Sequence, residues 1–295
     1  MTEQGTAWAE RAWGREVRRV DPLRGGWTST MLSLTAADGE QAVLRLMTRE
    51  PWRRHGPGLV AREATVQNLL AGTSVPAPCS VASDPDGTAA GDPAHLMTVL
   101  PGRLELSRCD DAVLDRLART LVGIHAVDPG AERPRDYQSW AVPEKRVVPD
   151  WAGRTEEWTE AFAVLDGPPP AYDGTFLHRD FHVGNVLWAD GEVSGVVDWV
   201  ETSWGPAALD VAHAATYLAM LHGPDAATAF VDAHHRIAGV PPVGDDDRYW
   251  HVLDLVGYLP DPGKVVQPWR DQGIDIDDAT VRARLEQRLA DVLAS

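Results

Sequence analysis

Cysteine is nearly absent: the 295 residues contain two, Cys79 and Cys109. They supply neither a disulfide framework nor the spacing of a zinc site, so a reducing cytoplasm is the expected location. No run approaches the roughly 18 apolar residues that a membrane helix needs. The opening MTEQGTAWAERAWGREV is polar and has none of the apolar core of a signal peptide. Positive charge is also short, with 27 Lys and Arg against 44 Asp and Glu and a formal net charge of −17. An acidic chain repels nucleic acid and anionic lipid, so neither is expected as a partner, whereas a cationic ligand would be attracted. There is no internal repeat and no low-complexity tract. What is present, 44% hydrophobic and 24% charged residues, is ordinary for a globular protein and enough for one large domain or two lobes. Twelve tryptophans stand out. Most should be packing, and Trp151, Trp158, Trp250 and Trp269 are candidates for an aromatic cage around a ligand.

The first hundred residues read as strand, turn, strand, helix, strand. Two β-rich runs, 31–35 and 41–47, flank Ala37-Asp38-Gly39-Glu40, and Asp-Gly between such runs signals a hairpin. Residues 51–57, bounded by prolines, read as a loop, and 59–70 as a helix. On it Leu59, Glu63, Val66 and Leu70 share one face. A carboxylate on an apolar stripe is costly, so Glu63 calls for a cationic partner. Strand-like runs follow at 79–82 and 95–100. After Pro101-Gly102 the pattern turns helical, over 111–125, 151–165, 207–221, 226–238 and 279–293, with Asp277-Asp278 as an N-cap signal and 130–149 as a loop. The expected fold class is α+β. It has a β-rich N-terminal lobe with one key helix over 1–97, a hinge at 98–102 and a mainly helical lobe over 103–295, with a ligand cleft between lobes as the default site.

The stretch that carries chemistry is HRDFHVGNVLW, residues 178–188, followed by Val196-Val197-Asp198-Trp199. Phosphoryl transfer needs a carboxylate to accept or orient the proton of the attacking hydroxyl, and oxygen ligands to hold Mg²⁺ against a triphosphate. Asp180 and Asn185, five apart in a loop, can put one side chain on each task. The run 186–197, broken by Asp190-Gly191, reads as a short hairpin that returns the chain so that Asp198 lands beside Asn185. His-x-Asp-x-x-x-x-Asn with an Asp thirteen residues on resembles the catalytic core of the aminoglycoside phosphotransferase family, of the wider protein-kinase-like fold. That family's H-G-D-x-H-P-G-N-x-L is matched with Arg179 in place of Gly and Val183 in place of Pro. The resemblance implies that Asp180 is the catalytic base, that Asn185 and Asp198 bind magnesium, and that His178 braces the loop. Trp204-Gly205-Pro206 with Asp210-Val211-Ala212 is similar to a further family run, which makes Asp210 an anchor of that loop.

The resemblance continues, more weakly, into the first hundred residues. Arg24-Gly25-Gly26-Trp27-Thr28-Ser29 resembles the loop over the nucleotide phosphates, where Gly25, Gly26 and Ser29 would make the approach. Arg45 stands where the phosphate-binding lysine is usual, and would bridge Glu63 and a phosphate. Met97, Thr98, Val99 and Leu100 look like the hinge that meets the purine of ATP or GTP. Only eleven residues separate Asp198 from Asp210, and there is no Ala-Pro-Glu. A protein kinase has about 20–30 there, so a small acceptor is implied. Acidic clusters at Glu156-Glu157 with Glu160, at Asp245-Asp246-Asp247, at Asp261 and at Asp271 to Asp278 suggest a cationic or polyhydroxylated one, with Glu201 able to reach it or face solvent. Three readings follow: a kinase for an antibiotic (aminoglycoside, cyclic peptide or macrolide), a metabolic kinase for a choline-like amine or a sugar, or a nucleotide-binding module without turnover. The chain is expected to act as a monomer or homodimer.

Overall fold

The structure is a computed structural model that describes residues 2–23, 29–240 and 245–295. The chain divides into two compact units, one of Met1–Gly102, Pro129–Pro134 and Ser194–Thr202, the other of Arg103–Asp128, Arg135–Val193 and Ser203–Ser295. Among the described residues no helix is long and apolar enough to cross a membrane.

The first unit contains α1 (Thr2–Trp13), β1 (Val17–Pro22), β2 (Thr30–Ala36), β3 (Gln41–Leu46), α2 (Trp52–Leu70), β4 (Ser80–Asp84) and β5 (Ala94–Thr98). Its antiparallel sheet has the order β1-β2-β3-β5-β4. The Asp38-Gly39 turn sets the β2–β3 register by placing Gly39 at φ 89°, open to glycine without strain. Leu32 then faces Leu44, and Leu34 faces Ala42. These side chains join Leu46, Leu96, Trp8 and Ala9 in one core. Residues 51–57 are not a loop: α2 begins at Trp52 and runs through Pro57. Pro57 is the sixth residue of the helix, past the first amides that have no partner, so its missing amide costs one helical bond. Gly56 allows the approach, since a Cβ there would sit 2.8 Å from Pro93 Cγ.

The second unit contains β6 (Arg103–Leu104), α3 (Asp111–His125), α4 (Thr155–Asp166), β7 (Thr175–Leu177), β8 (Val186–Ala189), β10 (Ser203–Gly205), α5 (Ala208–His222), α6 (Pro224–Ala238), α7 (Asp245–Gly257), α8 (Val266–Asp271) and α9 (Asp278–Ala294); β9 (Glu192–Val196) carries the chain back toward the first. Helix α5 is buried almost all round and packs on α6, α7 and α9. That all-round burial is why it reads as a hydrophobic run rather than a stripe. Asp110 caps α3 through the Val113 amide at 3.1 Å, and Asp277 caps α9 through Thr280 at 2.7 Å. Glu286 of α9 accepts from the amides of Gly153 and Arg154 and from Trp158 Nε1, which fixes where α4 starts. The fold is α+β, with an antiparallel sheet and one long helix in the N-terminal part and a helical C-terminal part.

Two glycines test this packing in opposite directions. A Cβ at Gly174 would fall 1.9 Å from Trp204 Nε1, whereas one at Gly58, on the exposed face of α2, meets nothing within 4 Å. Gly174→Ala should lower stability by about 1–3 kcal/mol and Gly58→Ala should raise it by about 0.5–1 kcal/mol, both read from urea midpoints.

Candidate active site

The loop between β7 and β8 is tied down by one buried carboxylate. Asp210, in the first turn of α5, accepts from the successive amides of His178 (Oδ2, 2.8 Å) and Arg179 (Oδ1, 2.8 Å), and His125 Nε2 lies 3.3 Å from Oδ2. Burial would raise the Asp210 carboxyl, but the His125 contact and charge hold it low. Arg179 takes φ 72°, the left-handed region that favours glycine. Its guanidinium lies over the Trp140 ring at 3.9 Å, a cation–π contact that offsets part of the backbone cost. The next amide, of Asp180, donates to His178 Nδ1 at 3.2 Å. A tight turn over Val183–Asn185 then brings Asn185 back, so that Nδ2 donates to Asp180 O at 2.9 Å and Oδ2 at 3.2 Å. In that turn His182 Nδ1 accepts the Gly184 amide at 3.0 Å, so the proton of a neutral His182 sits on Nε2.

The other oxygen of Asp180 meets a histidine that the motif does not contain. His213 Nε2 lies 3.1 Å from Asp180 Oδ1, and His213 Nδ1 lies 2.9 Å from Asp254 Oδ1 on α7. The ring is buried, which alone would lower its pKa, but Asp254 and Asp180 outweigh that and raise it to about 9. His213 is therefore an imidazolium with both N–H groups donating to carboxylates. Burial would raise the Asp180 carboxyl, and His182 and His213 hold it well below its ordinary range instead. Because burial lowers His182 to about 3, the positive charge that holds Asp180 ionised at neutral pH is on His213. Tyr217 stacks on His182 at 3.8 Å and Tyr258 lies parallel to His213 at 6.1 Å, and burial pushes both phenols up. Asp180, His182 and His213 offer donor atoms within 4.8 Å of one another. A transition metal there would need bare Nε2 atoms, yet both of these carry protons in this arrangement.

In the first unit Arg45 on β3 and Glu63 on α2 are both buried, with Nη2 and Oε1 3.3 Å apart. Arg45 Nη1 is 3.1 Å from Asp198 Oδ1, and His95 Nδ1 is 2.9 Å from Glu63 Oε2. Burial would raise Glu63, and Arg45 with His95 lowers it. Glu63 thus has the cation that its apolar face demanded. Asp198 takes φ 67°, also left-handed, and opens the turn Trp199–Glu201 that packs on α2.

A model of the phosphotransferase enzyme family, APH, matches residues 19–250. The chain belongs to that family. Membership makes it a phosphotransferase. Among solved structures, aminoglycoside phosphotransferase APH(4)-Ia is 17% identical with a TM-score of 0.66, covering 98% of this chain and 99% of its own. The macrolide 2'-phosphotransferase MphH from Brachybacterium faecium is 18% identical with a TM-score of 0.60, over 94% of this chain and 96% of its own. The aminoglycoside-3'-phosphotransferase of type VIII is 21% identical with a TM-score of 0.61, over 86% and 98%. These likenesses show the kinase-like fold of APH enzymes. No curated protein matches the chain.

Within this APH chain the predicted residues fall into two groups. Asp180, Asn185, His178 and Asp210 come together in the second unit; Arg45, Glu63 and Asp198 come together in the first. Gly25 and Gly26 lie outside the described residues, and Ser29 beside them is buried with its hydroxyl unpartnered among the described residues. Met97 is buried with its sulfur 3.5 Å from Gln67 Nε2. The Thr98 amide is not free for a purine, since it donates to Cys79 O at 3.0 Å; Val99 is exposed and Leu100 half-buried. Glu201 closes the short turn after Asp198. The acidic clusters are engaged in part: Glu157 with Arg154, Asp261 with Arg282, Asp278 with Arg270, and Asp277 as a cap. Trp158, Trp250 and Trp269 are core, not a cage. His213, Asp254, Tyr217 and Tyr258 were missed. The readable signal for His213 was its place three residues after Asp210, on the same face of α5.

The charge on His213 generates a pH prediction. Its folded pKa is raised above the unfolded value of about 6.5, so its stabilisation is complete below pH ~6.5 and lost as pH rises through about 9. Urea midpoints should show wild type exceeding His213→Asn by about 3 kcal/mol at pH 6, with the gap closing toward pH 10. A gap independent of pH would contradict the charged assignment.

Proposed function

We propose that the chain transfers the γ-phosphoryl group of ATP, or of GTP, to a hydroxyl of a small cationic or polyhydroxylated molecule, with Asp180 as the base. The observation that carries this reading is the Asp180–Asn185 contact in a loop pinned by Asp210, in a chain of the phosphotransferase family. Phosphoryl transfer passes through a loose transition state and demands little nucleophilic push. A carboxylate held weakly basic by His213 suits that demand: it orients the acceptor hydroxyl and takes the proton late. Magnesium fits the donors. Asn185 commits its amide nitrogen to Asp180 and keeps its oxygen for another partner, Asp198 offers a partly exposed carboxylate, and such hard oxygen ligands match that ion. When bound, the ion would neutralise charge on the triphosphate. In this reading Arg45, held by Glu63, meets a phosphate. Ser29 follows the phosphate loop with Gly25 and Gly26, and the 98–102 segment, the hinge of the 1–97 and 103–295 division, reads the purine through Val99 and Leu100 rather than the Thr98 amide. His178 and Asp210 hold the loop.

The acceptor class comes from relatives: a thermostable mutant of APH(4)-Ia is described in ternary complex with ADP and hygromycin B. We accordingly take an aminoglycoside-like antibiotic as the first class to test, acted on in the cytoplasm by a monomer or homodimer as a resistance function, with a metabolic amine or sugar as the second. A coupled assay with Mg-ATP across both panels decides. Asp180→Ala should lower kcat by about a thousandfold or more with ATP affinity within about threefold; near-normal kcat would sink the base assignment. Arg45→Lys should keep activity within about tenfold, because a retained cation still meets the phosphate; complete loss would show that the guanidinium fork makes a contact of its own.

A further inference from the structure

Of the 27 Lys and Arg residues in the sequence only two are lysines, Lys145 and Lys264. The fold brings them to one atom. Lys145 Nζ donates to Gly257 O at 2.5 Å and Lys264 Nζ donates to the same oxygen at 3.3 Å. Gly257 ends α7, so its carbonyl is one of the helix's last acceptors, and a single cation suffices to cap it. The second ammonium repels the first. Of the nearby carboxylates, Asp261 pairs with Arg282, and Asp254 gives one oxygen to His213. Lys264 is lowered to about 8, by burial first and then by Lys145, against the pull of Asp254 and Asp261. Burial lowers Lys145 as well. Each ammonium has three donors and spends one on Gly257. Lys264 also lies 5.3 Å over the Tyr258 ring, and Tyr258 faces His213, whose other side holds Asp180.

We propose that Lys145 and Lys264 form a two-point binding site for an oxyanion (carboxylate, phosphate or sulfate), placed two aromatic rings from Asp180. Two ammonium groups sharing an anion convert mutual repulsion into attraction. The clustering of both lysines in an acidic, arginine-rich chain sets this place apart from its surface. The anion is either a group on the acceptor, in which case the inference rests on the phosphotransferase reading above, or a free ion. In the first case the acceptor is a hydroxylated molecule that also carries an acidic group. An amino sugar would have to keep its ammonium groups away from this corner.

Having two lysines makes the test direct. The full chain grown on ¹³C-lysine gives two side-chain Cε signals, assigned with Lys145→Met and Lys264→Met. Sodium sulfate, against sodium chloride at equal ionic strength, should shift both signals saturably below about 50 mM and raise the Lys264 titration midpoint. Lys264→Met should abolish the response of Lys145. Equal responses to both salts, or no saturation, would overturn the site, and this readout holds whether or not the chain transfers phosphate. The source is then separated by kinetics. If the acceptor bears the anion, Lys264→Met raises KM by about tenfold for acidic hydroxyl compounds, with kcat within about threefold and neutral acceptors unchanged. If the ion is free, sulfate alters turnover of neutral acceptors in wild type and not in Lys264→Met.

Discussion

A carboxylate that accepts two consecutive backbone amides fixes the direction of the chain between them. Asp210 does this to His178 and Arg179, from the first turn of a helix that is itself buried on nearly every side. The left-handed backbone at Arg179 follows from that clamp, and so does the point at which Asp180 leaves the strand end. Everything that Asp180 touches, the Asn185 amide on one oxygen and the His213 imidazole on the other, depends on Asp210 remaining ionised in a buried place. Its surroundings provide for that with two amide donors and with the contact and charge of His125. Hydrogen bonds to the charged form replace the water that a buried carboxylate loses, which lets it stay fixed.

Asp180 is stabilised differently. It has a side chain of which 28% is exposed, and its charge is matched by a true imidazolium that a second carboxylate, Asp254, keeps protonated. An Asp–His–Asp row of this kind carries net negative charge while keeping Asp180 ionised and weakly basic. Arg45 shows the same economy in the first unit: one guanidinium serves two carboxylates, and His95 takes the remaining oxygen of Glu63. Arginine's fork makes the double pairing possible where a lysine would present a single point of charge.

The legible parts of the molecule were those in which local pattern and chemistry coincide. The β2–β3 hairpin, helix α3 and the His178-to-Asn185 loop announce themselves through turn residues, a 3.6-residue stripe and a fixed spacing. Helix α1 and strand β1 were not seen, because β1 is mostly exposed and its Val-Arg-Arg-Val has no alternation to read. Helix α7 was missed for a different reason: its start carries three aspartates and its apolar residues lie against several neighbours at once, so no single stripe forms. With α7 went Asp254 and the meaning of His213. A contact between residues 41 positions apart on two helices leaves no local trace. The loop predicted at 51–57 failed because proline was weighted as a breaker, where tertiary packing of Gly56 on Pro93 carried the helix through.

Arg179 shows how one position joins these scales. The family motif has glycine there, and the φ of 72° explains why: a side chain in the left-handed region costs roughly 1–2 kcal/mol. This chain carries arginine instead, laid on Trp140 and closed off from solvent. Trp140 in turn meets His213 edge-on at 5.2 Å, so the residue that breaks the motif's backbone rule also supports the ring that holds Asp180. The strain at Arg179 is therefore offset by a contact that glycine could not make. The departure from the motif and the histidine absent from the motif belong to one packing arrangement.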